Sequence, residues 1–453
     1  MEETKALARA VARLRYEDLP DGVIQKTKEL ILDQIGCQLA GSTLSSSKLA
    51  FEYVADYKGQ REESTVVNFG LRTSAQDAAF ANASFGHAFM GDDTDSVCHA
   101  HLGSIIIPAA LAMGEREAIS GKEFIRAVVA GYEVASRIGA AAARAEDRGF
   151  HPGPIFGPFG VAAACGTILG FREEQILDAL GIAGSHSSGL MEYSESGGTV
   201  NRLHSSMAAF NGIRAALLAQ RGLRGPTTVI EGKRGFLHAF SGDSFPEKIT
   251  QGLGQKFRVL LIELKAYCCC GTSGTTLDAI SKMKSEHKIN PDEIEEIVVT
   301  VTPSTFRMTG SIVEPKDITS AQFSGRFGVA LGLMKAGNSF REYSEENLKD
   351  RQLLELAKKT NFILDEEMQK RPHSDHPARV MIKLKDGVAH EQTVDAARGS
   401  VLNPMTKEEV DQKFRKFASA VLPDNEIEAI AETIAGLEHI EDIRRLSQLL
   451  VVR

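Results

Sequence analysis

The chain has 453 residues, a length that suggests two or three domains. Hydrophobic residues make up 43% and charged residues 25%, proportions that exclude a disordered or fibrous protein. The net charge of -8 and the absence of tryptophan argue against nucleic acid and anionic membranes as partners. The longest uncharged apolar stretch, residues 105–113, has about half the length of a membrane span, so we expect no membrane-spanning helix.

The cysteines do not form the pattern of a disulfide framework. Six occur in this long chain, and three of them, Cys268, Cys269 and Cys270, are consecutive. The first residues include two acids and no apolar segment of the kind found in secretory leaders. We therefore expect a cytoplasmic protein in a reducing compartment.

The first 260 residues have the apolar period of helices. From Asp21 onward, Ile24, Ile31 and Ile35 fall on one stripe, and Gly41 is a stop signal. The same period, with many alanines, returns at three places further along the chain, namely 104–119, 121–145 and 205–222. This pattern is typical of closely packed helices in a large bundle.

The pattern changes after about Leu264. Residues 296–302 are β-branched and alternate with period two, and residues 380–394 predict a β-hairpin with an Asp-Gly turn. Residues 345–359 and 425–450 are helical again. The sequence thus predicts a mainly α fold: a large all-helical domain from both chain ends, 1–260 and 399–453, with a smaller α+β domain inserted at 261–398.

A polar segment between two predicted helices is the first candidate site. It contains Asp92, Asp93, Thr94, His99 and His101. A carboxylate that orients an imidazole would make an acid–base pair. Two alternatives stay open at this point: a metal site formed by the aspartates with His99 and His101, and a polar loop that caps the next helix.

Two further segments combine glycines with basic or imidazole side chains. His151 lies in a Gly- and Pro-rich loop before an Ala-rich helix, where it either binds an anion or belongs to an ordinary turn. In segment 189–204, Asn201, Arg202 and His204 lie just ahead of a predicted helix, whose positive end favours an anion. A solvated helix start is the alternative there.

Two isolated basic residues complete the candidates. Lys265 precedes the cysteine run, and Arg326 lies in a Phe-Ser-Gly-Arg-Phe segment. Each is a candidate for binding a carboxylate, although an isolated Lys or Arg is more often a surface charge.

In this order the segments resemble the MmgE/PrpD family. Residues 81–94 are similar to its pattern A-N-G-x-x-x-H-A-x-D-x-D-D-T, and 101–104 to H-P-G-S. Further similar segments are 149–152 (G-F-H-P), 221–236 (R-G-F-T-G-P…E-G-x-x-G-F) and 403–414 (N-P-[ML]-[ST]…K-F). No single motif is specific, but the ordered set covers nearly the whole chain.

The resemblance implies a helical domain with an inserted α+β lid, a pocket between them and a homodimer. It implies cofactor-free chemistry on a small di- or tricarboxylate, with no metal. By position, Asp92 or Asp93, Thr94, His101, His151 and Lys265 match residues that line the family's active site.

Within the family, a 2-methylcitrate dehydratase-like hydro-lyase is favoured. An iminodisuccinate epimerase-like and a cis-aconitate decarboxylase-like activity are the alternatives. Three residues depart from the family pattern: Asn201 in place of a lysine, Phe327 in place of a tyrosine, and Leu102 in place of a proline. The first two speak against a decarboxylase that needs that lysine and tyrosine. A metal-dependent hydrolase and an inactive polycarboxylate-binding relative are hypotheses outside this class.

The predicted mechanism is proton transfer next to a carboxylate. His101 acts as base or acid, oriented by Asp92 or Asp93, and His151 acts as the opposite acid or as a carboxylate anchor. Substrate charge is held by Lys265, Arg202 and Arg326, with Thr94, Asn201 and His204 as further binding residues.

Overall fold

Helices dominate the computed structural model, which describes residues 2–193, 198–242, 244–371 and 373–452. The chain divides into two compact units. The first unit contains Met1–Ala88, Asp92–Ile262 and Thr406–Arg453, and the second contains Phe89–Gly91 and Glu263–Met405. The predicted mainly α fold is confirmed, whereas the predicted domain limits of 260 and 398 stay predictions.

The first unit opens with a long helical segment. Its helices are α1 (Glu3–Arg13), α2 (Asp21–Gly41), α3 (Ser45–Tyr57), α4 (Ala75–Gly86), α5 (Gly103–Glu117), α6 (Gly121–Ala141), α7 (Pro152–Ile168), α8 (Glu173–Ala183), α9 (Asn201–Gln220) and α10 (Glu247–Thr250). Three short strands also occur in it, namely β1 (Ser64–Thr65), β2 (Arg72–Thr73) and β3 (Thr94–Asp95), and a fourth, β4 (Ile262–Glu263), spans the point where the chain passes to the second unit. These two-residue strands are too short for the sequence pattern to reveal them.

Helices α6 and α7 form the centre of the first unit. Small side chains let them approach closely: a Cβ on Gly160 would lie 2.8 Å from the carbonyl oxygen of Gly131. Every residue of α7 from Pro152 to Thr167 is buried. The helix that carries candidate residue His151 at its start is therefore held on all sides by the core.

A buried arginine joins α6 to the segment that follows α10. The Arg137 side chain is fully buried, and its Nε donates to Glu133 Oε2 at 2.8 Å. Its two terminal nitrogens donate to the carbonyl oxygens of Ile249, Gln251 and Lys256 at 3.1, 2.9 and 2.7 Å. Burial of this charge is offset by a carboxylate and a set of carbonyl acceptors.

The end of the chain returns to the first unit. Its helices are α16 (Lys407–Ala418), α17 (Asp424–Ala435) and α18 (Arg444–Leu449), so the helix predicted over 425–450 is interrupted after Ala435. Thr406 and Glu409 form the capping box of α16. Helix α16 packs on α2, where Lys413 Nζ lies 2.6 Å from the buried carboxylate of Asp33.

The second unit combines helices with one sheet. Its helices are α11 (Gly274–Glu286), α12 (Pro303–Thr309), α13 (Ile318–Gln322), α14 (Gly325–Met334) and α15 (Arg351–Lys358). Its strands are β5 (Ile294–Val301), β6 (Thr360–Leu364), β7 (Ala378–Leu384) and β8 (Ala389–Val394), in the order β6-β5-β7-β8. Strands β5 and β6 are parallel, and the other two pairs are antiparallel. The predicted hairpin is confirmed as β7 and β8.

All six cysteines are buried and free. The expectation that they form no disulfide framework is therefore confirmed.

Among the described residues, no helix has the length and apolar character needed to cross a membrane.

Candidate active site

His87 occupies the point where α4 ends. Its N–H donates to the carbonyl oxygen of Ala83 at 3.2 Å, which closes the last turn of the helix. The preceding residue, Gly86, allows α4 to lie against α2, because a Cβ there would be 1.8 Å from Gln34 Nε2. His87 is consequently 4% exposed and fixed by the helix end.

The carboxylate of Asp92 is directed at His87. His87 Nδ1 lies 2.7 Å from Asp92 Oδ2, and the Asp92 side chain is fully buried. The main chain of His87 is also held, since its carbonyl oxygen accepts a hydrogen bond from Arg202 Nη1 at 3.0 Å. The pair therefore has the geometry of a carboxylate-oriented imidazole.

One ring nitrogen of His101 is held by the main chain of Asp93. Its Nδ1 lies 2.6 Å from the main-chain oxygen of Asp93 and 3.3 Å from Thr94 Oγ1. Because a carbonyl only accepts, Nδ1 carries the hydrogen, and Nε2 is the basic nitrogen of the neutral ring. The Asp92 carboxylate lies against His87, and that of Asp93 is bound by Tyr132 and Gly103, so the orientation of His101 by an aspartate carboxylate stays a prediction.

The carboxylate of Asp93 accepts hydrogen bonds from two donors, neither of which is a histidine. Tyr132 Oη donates to Oδ2 at 2.6 Å, and the N–H of Gly103 donates to Oδ1 at 3.0 Å. Burial raises the pKa of Asp93 to about 7, with the neighbouring Asp92 charge adding to the shift and the two hydrogen bonds opposing it. Asp93 is thus a structural acid that changes charge near neutral pH.

This shift predicts a pH dependence of stability. Between pH 3.8 and about 7 the folded chain keeps the Asp93 proton while the unfolded chain releases it, so the free energy of unfolding falls as pH rises. In Asp93→Asn that contribution is removed. The free energy of unfolding of the variant minus that of the native protein should therefore rise by up to a few kcal/mol between pH 4.5 and pH 8. Urea unfolding at each pH measures this difference.

The exposed Asp56 provides the control for this prediction. Asp56→Asn should change the free energy of unfolding by the same small amount at every pH. An Asp93→Asn curve parallel to that of the native protein would contradict the assignment.

His151 and His204 form a second imidazole pair. Their Nδ1 atoms lie 2.9 Å apart, so one ring donates a hydrogen and the other accepts it. Burial lowers the pKa of His151 well below its usual value and that of His204 to about 4, with the charge of His87 as a further cause for both. Both rings are therefore neutral at pH 7. Tyr193 packs edge-on against them, with ring centroids at 5.6 and 5.8 Å.

The four imidazoles form one cluster around His87. The ring centroid of His87 lies 5.1 Å from that of His101 and 6.3 Å from that of His151. The two predicted acid–base residues, His101 and His151, thus both lie near a third ring, His87. His87 is not among the predicted site residues, although it lies within the motif at 81–94; its spacing of five residues from Asp92 is the signal that the sequence offers.

The start of α9 supplies positive charge to this cluster. Asn201 and Arg202 are its first two residues and are 4% and 5% exposed. Asn201 Oδ1 is buried and has no hydrogen-bond partner among the described residues. A guanidinium at the positive end of a helix suits a carboxylate ligand. Residues 194–197 of the same predicted segment lie outside the described residues.

Two predicted site residues belong to the second unit. Lys265 is 8% exposed there. Arg326 donates to the carbonyl oxygens of Thr360 and Gly310, so its guanidinium takes part in main-chain hydrogen bonds of that unit. The substrate-binding roles of Lys265 and Arg326 stay predictions.

The alternative metal site is not formed by its predicted ligands. His99 is exposed, and its ring nitrogen lies 3.4 Å from Glu146. Within the described part of the chain, no group of three or more His, Cys, Asp or Glu side chains is placed to hold a metal ion.

Comparisons with known proteins agree on one family. The MmgE/PrpD N-terminal domain matches residues 5–248, and the MmgE/PrpD C-terminal domain matches residues 267–439. The cis-aconitate decarboxylase-like protein oryM of Aspergillus oryzae is 30% identical over 99% of this chain and 97% of its own length. Cis-aconitate decarboxylases of Aspergillus terreus and Homo sapiens are 29% and 26% identical, over 99% of this chain and 95% and 94% of theirs. The chain therefore belongs to the MmgE/PrpD family.

Proposed function

We propose that this protein is a lyase that transfers a proton at a carbon next to a carboxylate of a small polycarboxylate. The observation that carries the proposal is the cluster of a half-buried His101 with the buried His87, His151 and His204, beside Arg202. Full-length relatives named as cis-aconitate decarboxylases support it.

The cluster supplies what this chemistry needs. A hydrogen next to a carboxylate is a weak acid, and its removal or addition requires a positioned acid–base group and a cation for the developing charge. His101 presents the basic Nε2 of its ring, because its Nδ1 donates to the Asp93 carbonyl. Arg202 supplies a buried guanidinium in a protein whose net charge is -8.

Decarboxylation of a cis-aconitate-like acid is the first candidate reaction, because the relatives reported above are named as cis-aconitate decarboxylases or as decarboxylase-like. Loss of water from a 2-methylcitrate-like acid is the second, since the neutral imidazole of His101 is suited to remove a proton from carbon. The two reactions differ in their proton balance: decarboxylation takes up one proton per turnover, and dehydration takes up none.

A panel of citrate-, aconitate-, aspartate- and tartrate-like acids tests the proposal. The purified protein is incubated with each acid in D₂O, and products are followed by NMR together with release of CO₂. Release of CO₂ indicates a decarboxylase. Formation of a double bond with loss of water indicates a dehydratase. Deuterium at the carbon next to a carboxylate, without loss of any group, indicates an epimerase.

Addition of a chelator separates this chemistry from metal-dependent hydrolysis. We expect turnover to be unchanged by the chelator. Turnover that is lost with the chelator and restored by Zn²⁺ or Mg²⁺, or no change in any acid of the panel, would contradict the proposed function.

A further inference from the structure

We infer that His87, held by Asp92, is the proton donor of this active site, complementary to His101 as the proton acceptor. The inference rests on the proposed function. The carboxylate of Asp92 is fully buried and 2.7 Å from His87 Nδ1, whereas His101 Nδ1 faces an uncharged carbonyl oxygen. Of these two rings, His87 is the one placed to carry a positive charge.

Other imidazoles and a guanidinium surround His87. The ring centroids of His101 and His151 lie 5.1 and 6.3 Å from that of His87, and Arg202 donates to the carbonyl oxygen of His87. The carboxylate of Asp92 distinguishes His87 from the other rings, because an anion beside an imidazole favours its protonated form. On the side of Asp92, the carboxylate of Asp33 interacts with that of Asp92 and is itself paired with Lys413.

The two rings then act in opposite directions. In dehydration, His101 Nε2 takes the proton from carbon, the C–O bond breaks, and the leaving hydroxide takes the Nε2 hydrogen of His87 to become water. Passage of the proton from His101 to His87 restores the starting state. In decarboxylation, the C–C bond breaks, its electron pair stays on the substrate carbon, and that carbon takes the proton from His87, which is reloaded from solvent.

Two substitutions separate proton donation from structural support. In His87→Asn the side-chain amide replaces the Nδ1 donor toward Asp92, but no Nε2 hydrogen remains. Asp92→Asn keeps the ring and removes the charge that stabilises its protonated form. We expect His87→Asn to lower turnover about 100-fold or more. We expect Asp92→Asn to move the high-pH limb of the turnover profile to lower pH, because the donor loses its proton more easily.

His99→Asn is the matched control, because His99 is an exposed histidine of the same segment and asparagine tolerates its positive φ of 55°. Circular dichroism and thermal unfolding establish that each variant is folded. The inference is overturned if folded His87→Asn keeps turnover within about threefold of the native protein. It is also overturned if Asp92→Asn lowers turnover by the same factor at every pH and leaves the high-pH limb of the profile where it is in the native protein. A native protein that converts none of the acids would overturn the proposed function, whereas an active native protein with an active His87→Asn variant would overturn this inference alone. The two failures are therefore distinguishable.

Discussion

Turnover should fall about a thousandfold in His101→Asn for a reaction that removes a proton from carbon, as dehydration does. The asparagine amide can still donate to the Asp93 carbonyl, which lies 2.6 Å from Nδ1 in the native protein. No basic nitrogen remains in place of Nε2, and proton transfer to a positioned base is worth about 10²–10⁴ in rate. Steady-state kinetics with the active acid of the panel measures the loss. KM should change little, because binding of the carboxylates is assigned to other groups.

Deuterium exchange gives this prediction a second measurement. If the reaction begins with removal of a proton from carbon, the native protein incorporates deuterium and His101→Asn does not. Retention of both exchange and turnover in a folded His101→Asn protein would contradict the assignment of His101 as the base. His99→Asn again provides the control, with unchanged kinetics.

The second large effect concerns folding. Arg137→Met should lower the free energy of unfolding by about 3–5 kcal/mol, the usual cost of removing one partner of a buried ion pair. Methionine fills much of the space but leaves Glu133 without the Arg137 cation and four main-chain carbonyls without their Arg137 donor. Urea unfolding followed by circular dichroism measures the change.

A double variant tests the physical reason. Glu133→Gln combined with Arg137→Met removes both charges, so it should be more stable than Arg137→Met alone. A single Arg137→Met protein that loses less than about 1 kcal/mol would show that the buried ion pair contributes little. An equal loss in the single and double variants would show that the carbonyl acceptors, rather than the carboxylate, account for the effect.

Much of the helical architecture is predictable because its apolar periods are long. Helices α2, α5 and α6 begin within a residue of the predicted starts, and the hairpin of β7 and β8 follows from strict alternation and an Asp-Gly turn. Strand β6 is not predictable in this way, since five residues give no clear period. The interruption after Ala435 was missed because the apolar pattern continues through Gly436 into the next helix.

The site could be predicted as a set of residues but not as a set of pairs. Asp92 and Asp93 are adjacent, and a sequence does not show toward which neighbour each carboxylate turns. The structure directs Asp92 to His87 and Asp93 to Tyr132, a residue on α6 that no motif includes. The contact between His151 and His204 likewise joins residues that are distant in sequence and lie at the starts of α7 and α9.

The position of Lys413 has a consequence for how the protein matures on the ribosome. Asp33 is synthesised early, and its buried carboxylate acquires this cation only when α16 emerges, after the whole second unit has been made. Until then, a nascent α2 exposes the surface that α16 will cover. We expect the N-terminal helices to remain open to proteases and chaperones during translation, and the first unit to close only as the last helices are released.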